Sequence, residues 1–145
     1  MRCSDLMVQH LVKVGPVDTV DLVAERMRDH HIGFVPVCDD AGCPLGTITD
    51  RDLTVRVIAE KKSPERTSAE SVMSRDLITC RPDDPILIAE RLMGLHKVSR
   101  ILCTDIGGRL VGVVSLSDLA EHGDPTRAWR VLREVSHREA HVELR

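Results

Sequence analysis

The 145-residue sequence predicts an α+β (α/β) fold: two β-α-β-β-α repeats packed about a pseudo-twofold axis, followed by a C-terminal amphipathic helix. The first observation behind this is an internal repeat. Adding 66 to a position in the first half lands on a related residue, as in Met7/Met73, Pro16/Pro82, Asp18/Asp84, Met27/Met93, Gly46/Gly112 and Asp52/Asp118, with no gap. The second is that hydrophobic spacing switches within each copy from helical to extended and back. The third is an ordinary globular composition, 42% hydrophobic and 30% charged.

Each copy opens with a short extended segment, "HLVKV" or "DLITC", and a turn holding Pro16 or Pro82. Asp18 or Asp84 then marks a helix start. Val20, Val23, Ala24 and Met27 share one face of the first helix, and Ile86, Ala89, Leu92 and Met93 share one face of the second. His30 and His96 fall at the helix ends, where the dipole favours a basic side chain. An apolar strand follows ("FVPVC" or "RILCT"), then an Asp-Gly type turn and a second strand. A closing helix begins near Asp50 or Ser117. These signals divide the chain into repeat 1 over 1–60, a polar linker over 61–69, repeat 2 over 70–122 and a tail over 123–145.

Composition excludes several function classes. A net charge of -3 gives no drive towards nucleic acid or an anionic membrane, and Phe34 and Trp129 are the whole aromatic inventory. No apolar run is long enough to cross a bilayer, and Asp5 interrupts an opening that otherwise offers no signal peptide, so a cytoplasmic location is expected. The five cysteines have no framework spacing and are expected to be reduced and buried. Cys38 and Cys43 lack the second pair that a zinc site needs, so no metal is expected.

The stretches "GTITDRDL" (46–53) and "GVVSLSDL" (112–119) carry the chemistry. Thr49 or Ser115 ends a strand, and Asp52 or Asp118 lies three residues on, in the first helical turn. Two readings fit. The hydroxyl and carboxylate are helix caps, or they are polar groups that a helix start offers to a ligand.

These paired stretches, each preceded by "MRDHHIGFVPVCD" or "LMGLHKVSRILCT", resemble a tandem pair of cystathionine-β-synthase (CBS) domains, a Bateman module, from about residue 3 to 121. The resemblance implies a regulatory module without catalysis of its own. It implies no required cofactor, and a regulatory ligand of the AMP, ATP, NAD or S-adenosylmethionine class in a cleft between the copies. It implies one site built from Thr49, Arg51 and Asp52 with Thr79, Val98 and Ser99. The other has Ser115, Ser117, Asp118 and Arg100 with Lys13, Ile32 and Gly33, and its Lys13 and Arg100 make it the expected nucleotide site. A homodimer and a downstream protein partner are implied as well.

The repeats depart from one another where Pro36 and Val37 are matched by Leu102 and Cys103, and Pro44 by Leu110. In the tail, Ala128, Trp129, Leu132 and Val135 suggest one face of a helix of about five turns, with a packing or a docking role. His137 and His141 stand four apart without a metalloprotease pattern and suggest a solvated face. Two further readings stand beside the ligand sensor. One is a ligand-free interaction or stress-response scaffold; the other is a redox or metal sensor using the cysteines.

Overall fold

The computed structural model describes residues 1–137. In chain order the elements are α1 (Cys3–Leu6), α2 (Val20–His30), β1 (Phe34–Cys38), β2 (Pro44–Thr49), α3 (Asp50–Leu53), α4 (Ala69–Val72), β3 (Thr79–Cys80), α5 (Ile86–His96), β4 (Arg100–Thr104), β5 (Leu110–Ser115), α6 (Leu116–His122) and α7 (Pro125–Ser136). A π-helical turn, Thr54–Ile58, continues α3. The paired β-α-β-β-α repeats and a helix after them are therefore present. The offset of 66 survives residue for residue: α1 and α4, α2 and α5, β1 and β4, and β2 and β5 all begin and end 66 apart.

The chain forms two compact units. One contains Leu11–Leu77 with Gly108–Leu110; the other contains Met1–His10, Ile78–Gly107 and the described residues from Val111 onward. Each unit thus takes its short helix, α4 or α1, from outside its own β-α-β-β run.

In the first unit β1 pairs antiparallel with β2, Phe34 opposite Thr49 and Val35 opposite Ile48. The expected strand "HLVKV" contracts to one parallel bridge, Val14 to Val37. Val14, Val20, Val23, Met27, Val35, Val37 and Ile48 form the core with Val57, Ala69, Val72 and Met73. Ala24, expected on the buried face of α2, is exposed. The buried stripe of Val20, Val23 and Met27 is narrow, and Ala24 lies just beyond it.

The second unit has a three-stranded sheet in the order β3-β4-β5, with β3 parallel to β4. Ile86, Ala89 and Met93 of α5 are buried against this unit's core, with Leu92 packed at its edge. Asp18 and Asp84 sit one residue before the helix caps Thr19 and Pro85. Each carboxylate closes the preceding turn, accepting from Gly15 N–H at 2.7 Å and Arg81 N–H at 2.8 Å.

The tail helix α7 packs on α5 through a face that keeps Ala128 and Val135 of the expected four and replaces Trp129 and Leu132 by Val131. Ala128, Val131 and Val135 are buried, whereas Trp129 is 61% and Leu132 43% exposed. The helix is amphipathic with an apolar arc too wide for one neighbour, and α5 selects the side that also brings Arg127 to Glu90. Glu90 is 4% exposed, and the Arg127 Nε–H donates to both its oxygens, at 2.9 and 3.2 Å. That fork supplies the counter-charge a buried carboxylate requires. Asp124 caps α7 through the Arg127 N–H at 2.9 Å, and that hydrogen bond holds its carboxyl below the usual carboxylate range. The described part of the helix is 12 residues long, and His141 lies outside the described residues.

Gly46 and Gly112 are explained by close approach. A Cβ on Gly46 would meet the Met73 Sδ and the Ser74 carbonyl oxygen at 2.6 Å each, and one on Gly112 would meet the Met7 Sδ at 2.6 Å. Each methionine, one residue past its short helix, lies flat over a strand glycine. Replacing Gly46 by Val, which must displace the Ser74 backbone as well, should lower stability by about 1–3 kcal/mol, the usual cost of overpacking. Gly112→Val, opposed only by a flexible side chain, should cost less. Urea denaturation of both variants checks the order; a neutral Gly46→Val would contradict it.

Candidate functional site

The two strand-to-helix junctions are built alike. Thr49 and Ser115 end β2 and β5 in extended conformation and become the N-caps of α3 and α6. The Thr49 Oγ1 accepts from the Asp52 N–H at 3.1 Å, while the Asp52 Oδ2 accepts from the Thr49 N–H at 2.9 Å. The Ser115 Oγ likewise accepts from the Asp118 N–H at 3.1 Å, and the Asp118 Oδ2 accepts from the Ser115 N–H at 2.7 Å. Both are capping boxes with Asp in the third helical position. The capping role weighed from the sequence is therefore real, and it occupies only one oxygen of each carboxylate.

A second tie holds each junction. The Asp50 N–H donates to the Gly33 carbonyl at 3.1 Å and the Leu116 N–H to the Ser99 carbonyl at 2.8 Å, again 66 apart. Gly33 accordingly lies beside Asp50, whose Oδ2 would stand 2.7 Å from any Cβ placed there. Thus the first unit brings together Gly33, Thr49 and Asp52, and the second brings together Ser99, Ser115 and Asp118.

The two carboxylates differ in their remaining oxygen. The Asp52 Oδ1 faces the Arg56 guanidinium at 3.8 Å. Arg56 also donates to the Val72 carbonyl at 2.7 Å, which fixes it in place. The residue 66 further on is His122, and Asp118 has no such cation among the described residues; its Oδ1 makes no hydrogen bond there. Ser115 is more committed than Thr49, since its hydroxyl also donates to the Asp118 Oδ2 at 2.7 Å. Sequence reading missed Arg56, although its i,i+4 spacing from Asp52 was the available signal.

Of the other expected residues, Lys13 and Arg51 are exposed, and Ile32 is half-buried in the first unit. In the second unit Thr79 is exposed at the start of β3, Ser117 is exposed on α6, and Val98 and Arg100 are half-buried on either side of Ser99. All five cysteines are free thiols, four of them buried and Cys43 half-buried. Burial pushes the Cys38 thiol up, away from the reactive thiolate form. Among the described residues no group of His, Cys, Asp and Glu is arranged to hold a metal ion, and no helix is long and apolar enough to cross a membrane.

Comparison with known proteins agrees with this architecture. The CBS domain family matches twice, over residues 3–58 and 69–124, and the chain belongs to that family. The CBS domain-containing protein YhcV of Bacillus subtilis is 32% identical over 95% of the chain and 97% of its own length. An uncharacterised protein of Methanopyrus kandleri is 33% identical over 74% of the chain, which spans 55% of that protein. The chain spans only 23% of a homoserine O-acetyltransferase of Methanococcoides burtonii, at 28% identity. A conserved CBS domain protein of unknown function from Thermoplasma acidophilum superposes with a TM-score of 0.82 at 25% identity, covering 95% of this chain and 76% of that one. Two structures share the fold at lower identity. A CBS domain protein from Pyrobaculum aerophilum complexed with AMP has a TM-score of 0.76 at 22% identity, over 94% and 99% of the two chains. A CBS domain pair in complex with 5′-methylthioadenosine and S-adenosyl-L-methionine has a TM-score of 0.74 at 23% identity, over 83% and 93%. CBS repeats are regulatory, non-catalytic domains, and the chain is a module of that kind.

Removing the cap should cost stability without unfolding the protein. Asp118→Ala and Asp52→Ala are each expected to destabilise by about 0.5–2 kcal/mol, the usual cost of losing a helix cap. Thermal unfolding followed by circular dichroism checks this; no change in either variant would mean the boxes do not hold the junctions.

Proposed function

We propose that the protein is a ligand-sensing module whose main site takes an adenosine-containing ligand at the Asp118 junction. The observation that carries this reading is the second oxygen of Asp118. A carboxylate that caps its helix with one oxygen has the other for a ribose hydroxyl, and at Asp52 the corresponding oxygen already faces Arg56. Arg100, next to Ser99 at the start of β4, supplies positive charge for a phosphate, and Ser117 on the exposed side of α6 supplies a hydroxyl. Lys13, Ile32 and Gly33 from the other repeat complete the proposed contacts. Thr49, Arg51, Asp52, Thr79, Val98 and Ser99 form the weaker site. The relatives solved with AMP and with S-adenosyl-L-methionine support the ligand class. Ligand binding stabilises the bound conformation, and a partner protein reads the change; a cytoplasmic homodimer is part of the same reading.

A second reading, an interaction scaffold, draws on one observation. Trp129 and Leu132 stay exposed and line an apolar cavity of about 220 Å³ with Leu116, Ala120, Pro125 and Ala128. Thermal unfolding in the presence of AMP, ATP, NAD or S-adenosylmethionine separates the readings. At a ligand concentration of 100 times Kd the stabilisation is about 2.7 kcal/mol, a rise of several degrees in Tm. Asp118→Asn should remove most of that rise, and Asp52→Asn much less. If none of the four ligands moves Tm, the sensor reading fails and the Trp129 surface becomes the better supported one.

A further inference from the structure

Asp52 and Arg56 are four residues apart, a spacing that stacks two side chains on one helical face. The Asp52 side chain is 15% exposed; its Oδ2 is closed into the capping box, and its Oδ1 lies 3.8 Å from the Arg56 Nη2. This ion pair is tethered at its far end. The Arg56 Nη1 donates at 2.7 Å to the carbonyl of Val72, the last residue of α4, where helix carbonyls lack partners within their own helix. One arm of the guanidinium is therefore pinned to α4 while the other faces Asp52.

The second repeat lacks this arrangement. Arg56 sits in the middle of the π turn, where the Ala59 N–H donates to the Thr54 carbonyl at 2.9 Å. A widened turn of this kind is a departure from regular helix that a fold retains for a local purpose. The matching stretch of α6 stays α-helical through His122 and ends at Gly123. His122, the counterpart of Arg56, lies 3.6 Å from the carboxylate of its neighbour Glu121, and no ion pair joins it to Asp118.

We infer that Arg56 is an internal competitor for the ribose at the Asp52 junction and sets the order in which the two junctions fill. The inference rests on the proposed reading in which a junction carboxylate takes ribose hydroxyls with its second oxygen. A ribose hydroxyl and a guanidinium N–H are both donors, so they compete for the Asp52 Oδ1. Because Arg56 is held at Val72, the guanidinium does not drift into solvent, and the uncovered oxygen belongs to the minor state. Apparent affinity falls by the fraction of molecules in that state. The Asp118 junction, with no such competitor among the described residues, fills first.

The test uses the full chain carrying Asp118→Asn, which leaves Asp52 as the intact junction, titrated with AMP by isothermal calorimetry with and without Arg56→Gln. Glutamine removes the charge and keeps a donor for the Val72 carbonyl. Arg56→His, which copies the other repeat, is the second variant, and circular dichroism verifies that both fold. The Kd for AMP should fall about fivefold in either variant, as when the guanidinium covers the oxygen in about four molecules of five. Losing a positive charge would by itself weaken binding of an anionic nucleotide, so the sign of the change is diagnostic. Adding Asp52→Asn should erase the gain, and 2′,3′-dideoxy-AMP, which has no ribose hydroxyls, should show none. If AMP binds the unmutated chain but the folded Arg56 variants bind it no more tightly than their parent, the inference is overturned and the ligand reading stands. An equal gain for the dideoxy nucleotide overturns it as well. If AMP binds neither the unmutated chain nor any variant, the ligand reading fails and takes this inference with it.

Discussion

The reciprocal hydrogen bonding of a strand-end hydroxyl residue with an aspartate three places later fixes how each unit turns from sheet to helix. At this point the last residue of a strand and the first of a helix share one peptide, and four helix N–H groups would otherwise lack partners. Thr49 with Asp52, and Ser115 with Asp118, answer for one donor on each side in a closed loop. The carbonyls of Gly33 and Ser99 then anchor the next N–H group to the neighbouring strand start. The β-branched runs before these residues build the sheet, and the glycines at 46 and 112 let a methionine cover it. Everything that gives the junction a function is placed by this constraint.

Duplication supplies two copies of the device, and divergence makes them unequal. Arg56 stands over Asp52 in one copy, whereas the other offers Asp118 without such a cation among the described residues and places Arg100 one residue past Ser99. The second unit alone also carries α7, held by Glu90 and Arg127 and by the burial of Ala128, Val131 and Val135. The same unit contains the Cys80–Cys103 thiol contact, at 3.3 Å. The junction proposed for the ligand thus lies in one of two halves whose elements repeat 66 residues apart.

Much of the fold was legible because each element is written twice with the same spacing. A helical stripe read at 20, 23 and 27 gains weight when 86, 89 and 93 repeat it, and two glycines in register point to one steric need. Capping was legible from the hydroxyl-x-x-Asp spacing alone, although sequence could not tell whether it excluded ligand binding. The geometry answers that by showing that the box takes a single oxygen. Three features were not legible. The face of α7 was misread because Trp129 and Leu132 are as apolar as Val131, and only a partner helix decides which are covered. The burial of Glu90 could not be read, since its counter-ion Arg127 comes from a helix outside the repeat. The cysteines looked scattered, because the meeting of Cys80 and Cys103 depends on the parallel register of β3 and β4.

The central claim is that an adenosine ligand engages the free oxygen of Asp118 while the capping box persists. Heteronuclear NMR of the backbone amides during titration with AMP tests it most directly. The account predicts progressive shifts of the Ser115–Asp118 amides, with the Asp118 N–H staying protected from hydrogen exchange, and smaller shifts at Thr49–Asp52. Shifts confined to the Thr49–Asp52 junction, or none at either junction at saturating AMP and S-adenosylmethionine, would contradict it.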